Sequence, residues 1–246
     1  TFTFKTLLGT ETRYVALAPG DFLEPRRADN SAVTNQNIKG TLFNGPGGFQ
    51  DIDYIIVTPR SLVAAAEQLA SHHRMRTNLS VRVVTTEDIY TEFSSGKQDI
   101  GAIRNMVRYV YENASAPDRK IRYLCLFGDT SLDFKDRLNR NNNMVPTYHT
   151  LSSVDTFNSF MSDDFFGMMD PNEGTMSSAH SLDIAVGRIV VDNPAQAQRI
   201  VSKITSYDNE DAYGSWRNNF VVISDALEGK YVEKTVRLPF DDSAVT

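Results

Sequence analysis

The sequence predicts an α/β fold, a doubly wound and mostly parallel sheet flanked by helices and preceded by a short β-rich segment. Two observations carry that prediction. From Asp51 onward, short apolar runs alternate with stretches whose apolar residues recur at helical spacing. One of those runs, residues 121–127, is apolar on both faces, as a strand in the middle of a parallel sheet must be.

The elements follow in order. Tyr54-Ile55-Ile56-Val57 is a buried-strand run. Thr58 then reads as an N-cap and Pro59 as the first helical residue, where a missing N–H costs nothing. Leu62, Val63, Ala66, Leu69, Ala70 and His73 form one helical stripe. Residues 81–84 make the second strand, and Thr85-Thr86-Glu87-Asp88 opens a short helix that Gly96 ends. Asp99 caps a longer helix with Ile100, Ile103, Val107, Val110, Tyr111 and Ala114 on one face. Residues 121–127 and 184–191 are further strands. Asn193-Pro194 starts a helix carrying Ala197, Ile200, Val201, Ile204 and Tyr207, and residues 220–223 form the last strand. Residues 1–50 differ: they alternate at Thr1-Phe2-Thr3-Phe4-Lys5, turn at Pro19-Gly20 and at Gly45-Pro46-Gly47-Gly48, and carry a polar stretch at 26–39. They read as the end of a β-rich module plus a linker, with residues 51–246 as the α/β part.

The chain has 246 residues, enough for one large domain with its own core. Its 31 Asp and Glu against 25 Lys and Arg leave a net charge of −6, which supplies no basic footprint for a nucleic-acid backbone. No apolar run approaches the roughly 20 residues of a membrane-spanning helix. A single cysteine, Cys125, rules out an internal disulfide and any Cys-based zinc site. The start at Thr1, with no signal peptide, reads as a processed or excised piece.

The common catalytic motifs are missing. The glycines at 45–48 open no helix, Gly96-Lys97 has no glycine-rich lead, and neither G-x-S-x-G nor H-E-x-x-H occurs. His72 and His73 fall in the last turn of a helix, where a cation suits the dipole; His149 and His180 are isolated in loops. Cys125 sits in an apolar strand that would raise its pKa and hide it. Carboxylates are the most informative candidates. Asp129 follows Phe127-Gly128 at the carboxyl edge of the sheet, Asp133 lies four residues on, and Asp163-Asp164 stand in an aromatic stretch. Seven acidic residues and one basic residue, Arg188, lie between residues 155 and 192. Asp129, Asp163 and Asp164 are candidate calcium ligands, or a recognition surface for a basic substrate group; the alternative is turn formation and solvation.

The ordered set of motifs resembles the gingipain-type cysteine peptidases. It comprises Asp53 to Thr58, Val81 to Tyr90, Tyr123-Leu124-Cys125-Leu126-Phe127-Gly128-Asp129, Ser162 to Gly167, Asp183 to Ile189 and the helix after Pro194. The type IX secretion sortases are the closer match, through Ile89 to Gly96, Ala102-Ile103-Arg104 and Gly214 to Asn218. The resemblance covers roughly residues 51–229. It implies the first subdomain of a caspase-like fold whose Cys nucleophile and His base lie in a second subdomain, outside this chain. Cys125 does not match that nucleophile. The family's supporting acid follows the strand at 220–223, where Asp225 and Glu228 both fit. The resemblance further implies protein substrates (the sorting domains of secreted cargo), other secretion-system components as partners, a cell-surface location and no required cofactor beyond optional calcium. Two other readings stay open: a non-catalytic module binding calcium or a protein through its acidic loop, and a small-molecule enzyme using Asp129 or Asp163.

Overall fold

A computed structural model describes residues 17–21, 36–45, 48–139, 142–152, 154–155, 158–177, 179–225 and 231–237. It divides into two compact units, residues 1–35 and 36–246. In the first, the alternating stretch at residues 1–5 falls outside the described residues. Its one described element is a 3₁₀ turn, Pro19–Asp21, closed by the Asp21 carboxylate accepting from Ala18 N at 2.8 Å.

The second unit begins ahead of the change of pattern at Asp51. Ile38 and Phe43 are buried in its core, and Asn44–Gly45 pairs antiparallel with Gly48–Phe49. A four-stranded sheet follows, made of β1 (Tyr54–Thr58), β2 (Val81–Thr85), β3 (Tyr123–Phe127) and β4 (Ala185–Ile189). Its order is β2-β1-β3-β4 and every pairing is parallel. The helices are α1 (Val63–Arg76), α2 (Thr86–Phe93), α3 (Ile100–Glu112) and α4 (Pro194–Tyr207).

The period of two in a strand sends alternate residues to opposite faces. Ile55, Val57, Leu124 and Leu126 pack with Ile89 of α2 and with Ile103, Met106, Val107 and Val110 of α3. Ile56, Cys125 and Phe127 pack on the other face with Leu69 and Ala70 of α1 and Ala197 and Val201 of α4. Each face therefore has its own helix pair, and the central strands are covered twice. Three helices start on side-chain caps that the sequence announces. Thr85 accepts from Asp88 N at 3.2 Å, Asp99 from Gly101 N at 2.8 Å and Asn193 from Gln196 N at 3.0 Å.

Two expectations need correction. Thr58 is no helix cap: it is the last residue of β1, fully buried, and its hydroxyl donates to the Phe127 carbonyl at 3.0 Å. A buried hydroxyl takes the partner the sheet offers. Pro59 is extended, a 3₁₀ turn (Arg60–Leu62) intervenes, and α1 begins only at Val63. The last strand, β5 (Asn219–Asp225), exists but lies outside the parallel sheet. It pairs antiparallel with β6 (Tyr231–Arg237), which the sequence reading did not foresee.

Candidate functional site

In an open α/β sheet, ligands meet the carboxyl ends of the strands where the strand order reverses. Here β1 leads outward to β2 and the chain then returns to β3, so the reversal lies between Thr58 and Phe127. The chain leaving β3 stays tied to β4: Gly128 N donates to Ile189 O at 3.0 Å and Asp129 N to Val191 O at 2.8 Å. Only glycine fits at 128, because a Cβ there would stand 2.8 Å from the Met144 Cβ. Asp129 then organises the next turn. One carboxylate oxygen accepts from Thr130 N at 2.8 Å, the other from the Asn142 amide, and its carbonyl accepts from Met144 N and Val145 N at 2.9 and 3.0 Å. Asp133 accepts from Arg137 N at 3.0 Å and Leu138 N at 2.7 Å, bonds that hold its carboxyl below the usual carboxylate range.

Asp163 is held by the one basic residue of the acidic stretch. Arg188 grips it with a two-pronged fork, Nε to Oδ2 at 2.8 Å and Nη2 to Oδ1 at 2.7 Å, while the Thr147 hydroxyl donates to Oδ1 at 2.7 Å. The same guanidinium donates to the carbonyls of Gly128 at 2.9 Å, Val145 at 2.7 Å and Pro146 at 3.3 Å. The Arg188 side chain is 9% exposed and that of Asp163 24%, so the pair is a half-buried brace joining β4, the turn after β3 and the aromatic segment. Sequence reasoning missed this role for Arg188. The signal was present: a lone arginine among seven acids, on an otherwise apolar strand. Asp164 is exposed and opens the 3₁₀ turn Asp164–Gly167, its N–H donating to Ser162 Oγ at 3.1 Å. Among the described residues, no group of three or more His, Cys, Asp or Glu is placed to hold a metal ion.

Cys125 lies inside the sheet on the face covered by α1 and α4. Burial pushes its thiol up to about 11, so it is protonated at neutral pH. It stands beside Tyr54, whose hydroxyl burial also pushes up. The His73 ring meets Tyr54 edge-on at 5.3 Å, and burial, then His72, holds that imidazole below its ordinary range. His72 bonds Asp208 at 2.9 Å, tying the ends of α1 and α4. His149 lies on a short ladder (Tyr148–His149 with Met161–Ser162), and its buried Nε2 has no hydrogen-bond partner. Burial lowers its pKa as well. Asp225 is the final residue of β5, opposite Tyr231; Glu228 lies outside the described residues. The described residues thus show carboxylates acting as braces and turn-formers, and a thiol held in its unreactive form.

Comparison with known proteins gives this arrangement a context. The model of a family described as Peptidase family C25 matches residues 48–244. Among solved structures, dimeric latent PorU from Porphyromonas gingivalis is similar, with 27% identity and a TM-score of 0.57, over 72% of this chain and 18% of that one. The complex of RgpB pro- and mature domains from Porphyromonas gingivalis has 17% identity and a TM-score of 0.46, over 64% of this chain and 29% of that one. This chain therefore spans less than a fifth of the PorU chain it matches. No curated protein matches.

Proposed function

Because the chain belongs to peptidase family C25, we propose that it is the scaffold subdomain of a cell-surface cysteine peptidase of the type IX secretion sortase kind. The parent protein would cut the sorting domain from secreted cargo. It would then pass the acyl group from its cysteine to water or to an amine on a surface glycolipid. Partners would be cargo sorting domains and other secretion-system components.

The observation that carries this division of labour is the state of Cys125. A nucleophilic cysteine needs an exposed sulfur, a lowered pKa and a base in reach. Cys125 is 5% exposed and its thiol is raised to about 11. The attacking sulfur and its base are therefore assigned to polypeptide outside these residues, and this chain alone has no peptidase activity. Its contribution is to build the carboxyl edge through Thr58, Gly128 and the Arg188–Asp163 brace. One acid, Asp225 or Glu228, would orient the imidazole and stabilise its charged form. The likeness to PorU, at 27% identity, supports the sortase assignment within the family.

Treatment of the full-length parent with a cysteine-directed peptidase probe, followed by mass spectrometry, tests this. One labelled cysteine outside residues 1–246 is expected, with Cys125 unmodified. Label on Cys125, or on no cysteine at all, overturns the proposal.

A further inference from the structure

The segment between α4 and β5, residues 208–218, contains Gly214-Ser215-Trp216-Arg217-Asn218, a run to which the proposed function gives no role. Burial does not hold this segment. Its two 3₁₀ turns, Glu210–Ala212 and Ser215–Asn218, contain no buried residue, and Tyr213 and Trp216 stand 58% and 53% exposed.

One side chain gathers it instead. Arg217 Nε donates to Ala212 O at 3.1 Å, and Nη2 donates to the carbonyl of Tyr207, the last residue of α4. A cation suits that place, because the final carbonyls of a helix lack partners and carry the negative end of its dipole. Aromatic rings wall the guanidinium. Its carbon lies 3.9 Å from the centre of the Tyr207 ring, 4.2 Å from Tyr213 and 5.4 Å from Trp216. Tyr207 and Trp216 meet edge-on at 5.7 Å. The backbone is fixed at the same point, since Arg217 N donates to Gly214 O at 3.1 Å. At the other end of the segment, Asp208 is tied to α1 by its bond with His72 at 2.9 Å.

β5 begins at Asn219, two residues after Arg217. Among the described strands it pairs with β6 and with none of the parallel sheet. The clamp on α4 therefore fixes where β5 departs. Seven residues of extended chain then lead to Asp225, a span of about 20 Å at the rise of a strand. An error in direction at the start of such a span grows toward its end.

We infer that Arg217 is a positioning residue: clamped to the end of α4, it sets the start of β5 and so the place of the acid at that strand's far end. The acid is Asp225 or, three residues on, Glu228. This rests on the proposed function, which gives that carboxylate the task of orienting the imidazole. Lysine could not replace the arginine, since it has no planar fork to reach two carbonyls while stacked between rings.

The test uses the full-length parent and a peptide substrate. Arg217→Ala should lower kcat about tenfold with KM little changed, because it displaces a group that acts in the transition state and leaves substrate contacts alone. It should also move the alkaline limb of the pH profile of kcat/KM to lower pH, since an imidazolium deprived of its carboxylate gives up its proton sooner. Asp225→Asn and Glu228→Gln identify the acid. One of them should show the same limb shift, and adding Arg217→Ala to that variant should cost less than about twofold more, because the two act as one unit. Leu69→Ala, which destabilises the core elsewhere, should leave the limb where it is. A limb that stays in place in Arg217→Ala, a limb that moves as far in Leu69→Ala, or losses that multiply in the double variant overturn the inference and leave the peptidase reading standing. Neither acid variant altering the profile overturns it as well. A parent that turns over no peptide ends the peptidase reading itself, and this inference with it.

Discussion

Two connections in this molecule link neighbouring parallel strands, one through an α-helix and the other without one among the described residues. Between β1 and β2, residues 59–80 fold over the sheet as α1, whose Ala65, Ala66, Leu69 and Ala70 are buried against it. Between β3 and β4, residues 128–184 contain no α-helix among those described. They are held by backbone N–H groups donating to the carboxylates of Asp129 and Asp133 and by the Arg188–Asp163 pair, and they leave Leu132, Leu138 and Leu151 in water. The first connection derives its order from burial, which is spread over many residues. The second buries Val145, Phe166, Met168, Met169 and Ile184 at separate points along its length and ties the stretches between them with polar bonds and one charged brace. The second connection leaves the carboxyl edge of the sheet, the side of an α/β fold where ligands bind and where loops carry function.

The largest expected effect comes from cutting the brace. Arg188→Met leaves the Asp163 carboxylate without its cation and three carbonyls without a donor, at a cost of about 3–5 kcal/mol. Hydrogen exchange should show where the loss falls: the amides of Met144, Val145 and Thr150 lose protection while those of β1 to β3 keep theirs. A uniform loss across both regions would erase the contrast between the connections. Arg188→Lys should not rescue the loop, since a lysine cannot reproduce the fork.

Next in size is the packed connection. Leu69→Ala removes a side chain 1% exposed and should cost about 3 kcal/mol in urea unfolding, with protection lost throughout the sheet rather than in one loop. A loss confined to α1 would mean that the helix is less integral to the fold than its burial indicates.

The smallest effect is electrostatic. Burial holds the His149 pKa below its ordinary value in the folded chain. The unfolded chain therefore binds a proton first as pH falls below about 6.5, and stability falls with it through the folded pKa. His73 shares this direction. His149→Phe should flatten, without abolishing, the loss of stability between pH 7 and pH 5. An unchanged slope would remove His149 as a contributor.

The same contrast explains what the sequence made legible. Apolar spacing disclosed β1 to β4, α1, α3 and α4 because burial imposes a period on the residues that undergo it, while α2 was read from its opening Thr85 to Asp88 and from Gly96. Asp99 and Asn193 announced their helices because a cap needs its acceptor at one fixed place. Thr58 misled because a hydroxyl before proline serves equally as a cap or as a strand-end donor, and only its neighbour Phe127, 69 residues away, decides. The connection at 128–184 has no period to read. Its local bonds, such as Asp133 to the Arg137 and Leu138 amides, are turn chemistry visible in the sequence. The Arg188–Asp163 contact spans 25 residues and depends on the fold bringing both together.

The central claim is that this subdomain is scaffold and that its one thiol takes no part in the chemistry. Cys125→Ala in the full-length parent tests that most directly, with kcat/KM for a peptide substrate compared at neutral pH against the unmodified protein. An unchanged kcat/KM is the predicted result; loss of turnover in a variant that still folds would contradict the account.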